Sequence, residues 1–294
     1  MLADRLGNRE PVFYWVRAFG KVRGNFTPQK SHFCHDRNVI QNALLSDSYG
    51  FSMLLGKKLG LDGILVINVR SFAERRKFME SQLARLGLEC EFVHEYDAAD
   101  IEPGIDARYF CGSGLRPSQK SCSMKHIAAL SRMVARGWKR MLVLEDDAVL
   151  SSDFLDGLQR ALQEARSWRN PHVVYLGSGA NQYTPRSLRV QGQSLYKNTR
   201  GRLTDSYLIG RDEAISRLGW IANNKMDLPI DHAFDAMDKH LGIDILWFED
   251  PIVEQGSKNG KFTTSLEASR HPFSQKLHFT WKKLWQKHVR QLWR

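Results

Sequence analysis

The stretch GILVINV (63–69) is a continuous β-branched run bounded by Gly63 and Arg70. Such a run marks a strand covered on both faces, which restricts the chain to folds with a shielded central sheet. SFAERRKFMESQLARLG (71–87) follows, with Phe72, Phe78, Met79, Leu83 and Leu86 at helical spacing. Ser71 is the expected N-cap, Glu74 completes its capping box, and Gly87 is the expected stop. ECEFVHEY (89–96) reads as the next strand. Strand, helix and strand in this order form a βαβ unit, so the sheet is expected to be mostly parallel and flanked by helices.

The alternation continues downstream. SCSMKHIAALSRMVARG (121–137) predicts a helix, RMLVLE (140–145) a buried strand, and SSDFLDGLQRALQEARSW (151–168) a helix capped by Ser151 or Ser152. HVVYLG (172–177), TDSYLIG (204–210) and IDILWF (243–248) predict further strands, and RDEAISRLG (211–219) a helix. The expectation is one α/β domain over 61–265. An N-terminal extension of unassigned role occupies 1–60, and a basic tail 266–294.

Composition narrows the function classes. Apolar residues make up 42% and charged residues 26%, the balance of a globular chain and not of a disordered one. Cys34, Cys90, Cys111 and Cys122 show no C-x-x-C spacing, so neither a zinc finger nor a disulfide framework is indicated. No apolar run has spanning length, and no basic-then-apolar leader opens the sequence, so the expected location is the cytoplasm. The formal charge is +11, with seven Lys/Arg and no acid between Arg270 and Arg294, which predicts an anionic partner. Nucleic acid fits poorly: no zinc spacing, RNP-like aromatic motif or helix-turn-helix is visible.

RMLVLEDDAVLSSDF (140–154) places Glu145, Asp146 and Asp147 directly behind a core strand. In parallel sheets ligands bind at the carboxyl ends of strands. Side chains alternate there, so Glu145 and Asp147 are expected on one side and Asp146 on the other. Two carboxylates on one side suit a hard divalent cation, which in turn neutralises a diphosphate. A charged turn capping the next helix is the plainer alternative.

Several segments, in order, resemble glycosyltransferase family 25, the group that includes bacterial lipooligosaccharide and collagen galactosyltransferases. They are 66–100, SCSMKHIAAL (121–130), MLVLEDDAVLSSDF (141–154), TDSYLIGRDEAISRL (204–218), LPIDHAFD (228–235) and DPIVEQGSKNGKFTTS (250–265). Cys122 and His126 fit the family's Cys-x-x-Ser-His helix. Ser121 stands where Gly is usual and Lys125 where Ser is usual. The resemblance implies a GT-A (Rossmann-like) nucleotide-sugar-binding fold and a nucleotide-sugar donor, often UDP-galactose. It further implies a divalent metal, Mn²⁺ or Mg²⁺, inversion at the anomeric carbon, and a glycan or glycolipid acceptor in surface-polysaccharide synthesis.

On that reading Asp147, with Glu145, holds the metal, and Asp146 contacts the donor. Arg70 and Arg76 face its diphosphate, whereas Arg75 is expected on a solvated helix face. Asp100 is the expected nucleoside contact, and His126 is drawn toward the donor by the motif. Asp231 is the expected base, with N-capping as its rival role. Lys125, Asp205, Glu254 and Gln255 are supporting candidates, and the loop GSKNG (256–260) is a candidate lid. In the tail, Leu277, Trp281, Trp285, Val289 and Leu292 form one stripe of a basic helix over 274–294, suited either to an anionic membrane face or to packing on the domain. A catalytically inactive transferase-like binder is the remaining alternative.

Overall fold

The computed structural model describes residues 56–257, apart from 57, 111, 180 and 181, together with Trp281 and Trp285. The extension expected at 1–60 and the tail expected at 266–294 lie outside the described residues, save for 56, 58–60 and those two tryptophans. Seven strands form the central sheet: β1 (Gly63–Ile67), β2 (Glu91–Val93), β3 (Arg140–Glu145), β5 (His172–Tyr175), β6 (Leu195–Asn198), β7 (Ser206–Gly210) and β8 (Asp244–Phe248). Their order is β2-β1-β3-β7-β5-β8-β6. Two short strands, β4 (Ala148–Leu150) and β9 (Val253–Gln255), form a separate antiparallel ribbon.

β1 is parallel to β2 and β3, and β5 to β8, whereas β7 opposes both β3 and β5, and β6 opposes β8. Five strands therefore share one direction, as the βαβ pattern expects, with β7 and β6 reversed. The reversal of β7 has a direct result. Its first residues lie beside the last residues of β3, with Leu144 opposite Ser206.

The apolar runs divide their side chains between two cores, because successive residues of a strand point to opposite faces. Leu65, Ile67, Met141 and Val143 join one core. That face is covered by α3 (Pro117–Ala135), α5 (Arg211–Asn223) and α6 (Ile230–Leu241). Ile64, Val66, Leu142 and Leu144 join the other, under α1 (Ala73–Arg85) and α4 (Phe154–Ser167). A short helix, α2 (Pro103–Tyr109), follows β2.

Helix ends differ from the expectation. α1 starts at Ala73 behind Phe72, with no side-chain cap, so the expected Ser71–Glu74 box is not formed. Gly87, at φ 65°, does follow its end, in the left-handed region that favours glycine. α3 begins at Pro117, four residues before the expected start, and the Gln119 side chain accepts from the Arg116 backbone N–H at 3.0 Å. Proline is suited to that first turn because its missing N–H has no helical partner to lose.

α5 and α6 are tied by an ion pair shut off from water. Arg217 donates to both carboxylate oxygens of Asp238, at 2.8 and 2.6 Å, and both side chains are 0% exposed. The guanidinium also lies 3.9 Å from the centre of the Phe234 ring. Removing one partner strands the other charge in the core. Arg217→Met is expected to destabilise the chain by about 3–5 kcal/mol, read as a lower urea midpoint with unchanged slope.

Candidate functional site

The end of β3 splits its carboxylates between the two faces of the sheet. Glu145 continues the Met141–Val143 side and meets α3: its Oε1 lies 3.6 Å from His126 Nε2 and accepts from the Thr204 hydroxyl at 2.8 Å. Its backbone N–H donates to the Asp205 carbonyl at 2.9 Å. Asp146 turns toward α1, where Asn68 Nδ2 donates to one oxygen at 2.8 Å and Arg75 Nη1 to the other at 2.9 Å. Burial raises the Asp146 carboxyl above the usual carboxylate range even with the Arg75 charge and both hydrogen bonds opposing it.

Asp147 is held differently. Its Oδ2 accepts from the Ser257 backbone N–H at 3.2 Å, and its carbonyl from Gly256 N–H at 2.7 Å. Its Oδ1 is buried without a hydrogen-bond partner. Burial first, and the neighbouring Glu145 charge second, push this carboxyl up to about 6. The backbone around it is fixed from two sides. β9 pairs with one edge of β4. The buried Gln82 amide serves the other, donating to Ala148 O and accepting from Leu150 N–H, both at 2.9 Å.

The remaining expected residues lie on several elements. Asp205 is buried beside Gly177, where a Cβ would lie only 2.3 Å from the Asp205 carboxylate, so glycine there makes room for it. Gln255 ends β9, its Oε1 buried without a hydrogen-bond partner, and Glu254 lies half-buried opposite Val149. Asp231 sits in the first turn of α6, accepting from the His232 backbone N–H at 3.0 Å. The N-cap is Pro229, so Asp231 does not fill that rival role. Burial first, then the charges of Glu145, Asp231 and Asp146, raise the Cys122 thiol well above its usual range.

Another group surrounds the loop after β2. Arg70 donates to the His94 carbonyl at 3.2 Å and pairs with Asp97 at 3.3 Å and with Asp100. Two residues expected against a donor therefore meet each other. Lys125 is 1% exposed and does not extend toward the carboxylates of β3. Its amine donates to Asp97 Oδ1 at 2.7 Å and to the carbonyls of His94 and Glu95 at 3.1 and 2.9 Å. Burial lowers its pKa although Asp97 opposes the shift. One turn earlier, the Ser121 hydroxyl donates to the Tyr96 carbonyl at 2.7 Å. Tyr96 has φ 64°, so this loop is held in a conformation that costs a non-glycine residue. The two positions that depart from the family pattern are thus both anchors of the same loop.

Arg75 departs from its expected place. Instead of a solvated face, its side chain occupies a site only 13% exposed and is bonded to Asp146. Arg76 is the outward residue, 40% exposed and 3.8 Å from Glu80. Spacing carries the signal: Arg75 precedes the buried Met79 by one turn and Gln82 by two. Asn68, Thr204 and Tyr207 join the site without having been expected there. Asn68 is visible as a polar residue ending an apolar strand, whereas Thr204 and Tyr207 become functional neighbours only through the reversed β7.

Residues 61–232 match the family described as Glycosyltransferase family 25 (LPS biosynthesis protein). An inactive glycosyltransferase 25 family member 3 from Homo sapiens is 28% identical over 136 residues, 41% of this chain and 22% of that protein. Procollagen galactosyltransferase 1 from Danio rerio is 27% identical over 187 residues, 58% of this chain and 31% of that protein. The chain thus spans less than a third of the length of these relatives. Among solved structures, a UDP-glucose pyrophosphorylase complexed with UDP-glucose aligns with TM-score 0.35 and 12% identity, over 69% of this chain and 78% of that one. An inositol-1-phosphate CTP transferase from T. maritima aligns with TM-score 0.31 and 11% identity, over 79% and 83%.

Asp147 generates a pH prediction. Its carboxyl rises from 3.8 to about 6 on folding, so the folded state holds the proton more tightly and stability falls as pH climbs through that window. Asp147→Asn removes the penalty. In chelator at pH 7.5 the variant is expected to be more stable than the parent by on the order of 2 kcal/mol, the gain fading toward pH 4. Thermal unfolding across this range checks it.

Proposed function

The chain belongs to glycosyltransferase family 25, and we propose that it moves a sugar from a nucleotide-sugar donor to a saccharide acceptor with the aid of a divalent cation. The observation that carries this reading is Asp147: a buried carboxylate with an oxygen lacking any hydrogen-bond partner, beside Glu145, on a rigidly braced turn. A cation relieves the repulsion and the desolvation together, so the donor set fits one. Asp147 and Glu145 would hold it, with Gln255 Oε1 nearby on β9 as a neutral oxygen ligand suited to Mn²⁺ or Mg²⁺. When bound, the ion supplies positive charge for the departing diphosphate.

The chain's own residues account for the rest. Asp146 holds the turn through Asn68 and Arg75 and is the carboxylate nearest the α1 side for a donor hydroxyl. Asp231 takes the proton from the attacking acceptor hydroxyl, opposite the leaving group, which inverts the anomeric centre. Gly256 and Ser257 bond to Asp147 and open the GSKNG stretch, whose expected role as a lid would be to shield a bound donor from water. The donor is read as a UDP-sugar and the acceptor as a surface glycan or glycolipid. Trp281 and Trp285, four residues apart in sequence, are 71% and 44% exposed. They support docking of 274–294 on the anionic inner face of the cell membrane, where lipid-linked acceptors are presented.

A second reading follows from the relatives named inactive and from the mutual pairing of Arg70 and Asp100: donor binding without transfer. Following UDP release across a panel of UDP-sugars with Mn²⁺ separates the two. Transfer is expected, and it should cease in excess chelator. Asp147→Ala should lower kcat/KM by about 10²–10³. Asp231→Asn should lower kcat by about 10²–10⁴ with little change in donor KM. Donor binding with no turnover by the parent chain rejects transfer in favour of the second reading.

Membrane docking has its own measurement. Vesicles containing anionic lipid should float the full chain, and deletion of 274–294 should abolish flotation. Equal flotation of both forms rejects the tail as the anchor.

A further inference from the structure

The side of Glu145 that faces α3 holds a second donor set, and its chemistry differs from that at Asp147. Cys122 and His126 lie four residues apart on α3, so both project toward the end of β3. The Cys122 thiol, a His126 ring nitrogen and a Glu145 oxygen all lie within 4.8 Å of one another. Asp147 is not a member of this set.

His126 is the decisive residue. It is 0% exposed, its Nδ1 is 3.0 Å from the Tyr207 hydroxyl, and its Nε2 has no hydrogen-bond partner. The ring is held between Tyr207 and Phe234, with centroids 5.7 and 6.0 Å away. A buried ring nitrogen without a partner costs the free energy of an unmade hydrogen bond, and here it points at a carboxylate 3.6 Å away. When Nδ1–H donates to Tyr207, Nε2 carries a lone pair directed at the same space, the arrangement in which metal-bound histidines are oriented.

We propose that Cys122, His126 and Glu145 form a binding site for a transition-metal ion of the zinc class. Sulfur, imidazole and carboxylate together favour such an ion over Mg²⁺, which avoids thiolate. A tetrahedral zinc needs its ligand atoms about 3.3–3.6 Å apart, so the His126–Glu145 separation already fits, and the thiol lies within 4.8 Å of both. Thr204 steadies Glu145 at 2.8 Å as Tyr207 steadies His126. Asp231 and Asp146 add negative charge around Cys122. Three protein ligands leave one position for water or a substrate oxygen. The inference rests on this donor geometry and not on the transferase reading, although the two sites share Glu145.

The test uses the full chain stripped of metal and loaded with Co²⁺ as a spectroscopic stand-in for Zn²⁺. One equivalent should give a thiolate-to-cobalt charge-transfer band and tetrahedral d–d bands. Cys122→Ser should lose the charge-transfer band and bind Zn²⁺ at least tenfold more weakly by chelator competition. Cys90→Ser and Asp147→Asn should keep both properties. A parent chain without the band, or a band that survives Cys122→Ser, overturns the site. X-ray absorption of the zinc-loaded parent tests the same ligand set without any variant, since a shell lacking sulfur rejects it. Loss of sugar transfer with the cobalt band intact would count against the transferase reading alone.

Discussion

Carboxylates removed from water must be compensated nearby, and the end of β3 removes two while holding a third beside them. The cost of burying an uncompensated charge exceeds what one hydrogen bond returns, so several elements converge on this point. α1 sends Arg75 to Asp146, β1 ends in Asn68, and the chain beyond β9 gives its Ser257 N–H to Asp147. Only part of the charge is met. The carboxyl of Asp147 is therefore pushed up to about 6, which on the proposed reading disposes the site to take up a cation.

That disposition depends on rigidity as much as on charge. A flexible acidic turn would swing its carboxylates into solvent and lose the effect. Here Gln82 occupies one edge of β4 while β9 pairs with the other, and the loop before β7 is pinned by Arg202. That arginine is buried, donates to the Phe248 carbonyl at 2.6 Å and lies 4.6 Å from the Trp247 ring centre. The result is that Thr204 and Asp205 arrive at Glu145 on a braced segment. The loop after β2 is built in the same way, with Ser121 and Lys125 holding a strained Tyr96 in place.

Much of this is legible in the sequence because burial on both faces leaves an unbroken apolar run. GILVINV and RMLVLE can be assigned as strands for that reason, and the acids behind the second run stand out. Direction is not legible: TDSYLIG has the same texture whether it runs with or against its neighbours. LYKN, AVL and VEQ are too short and too mixed in polarity to announce β6, β4 and β9. Ser71 has the right side chain for a cap, yet the helix begins elsewhere, since tertiary packing overrides local preference. At the site, Glu145, Asp146 and Asp147 are found by adjacency. Arg75, Thr204 and Tyr207 escape because their relevance comes from which element lies next to which.

The place of β7 carries a consequence for how the molecule is made. It fills the slot between β3 and β5, two strands synthesised before it. Until Gly210 has left the ribosome, those two expose facing backbone edges with nothing between them. Premature pairing of the two would lock them side by side in the wrong register. The pairing of β3 with β7, and with it the contacts of Thr204 and Asp205 to Glu145, therefore forms only after both neighbours of β7 have been made.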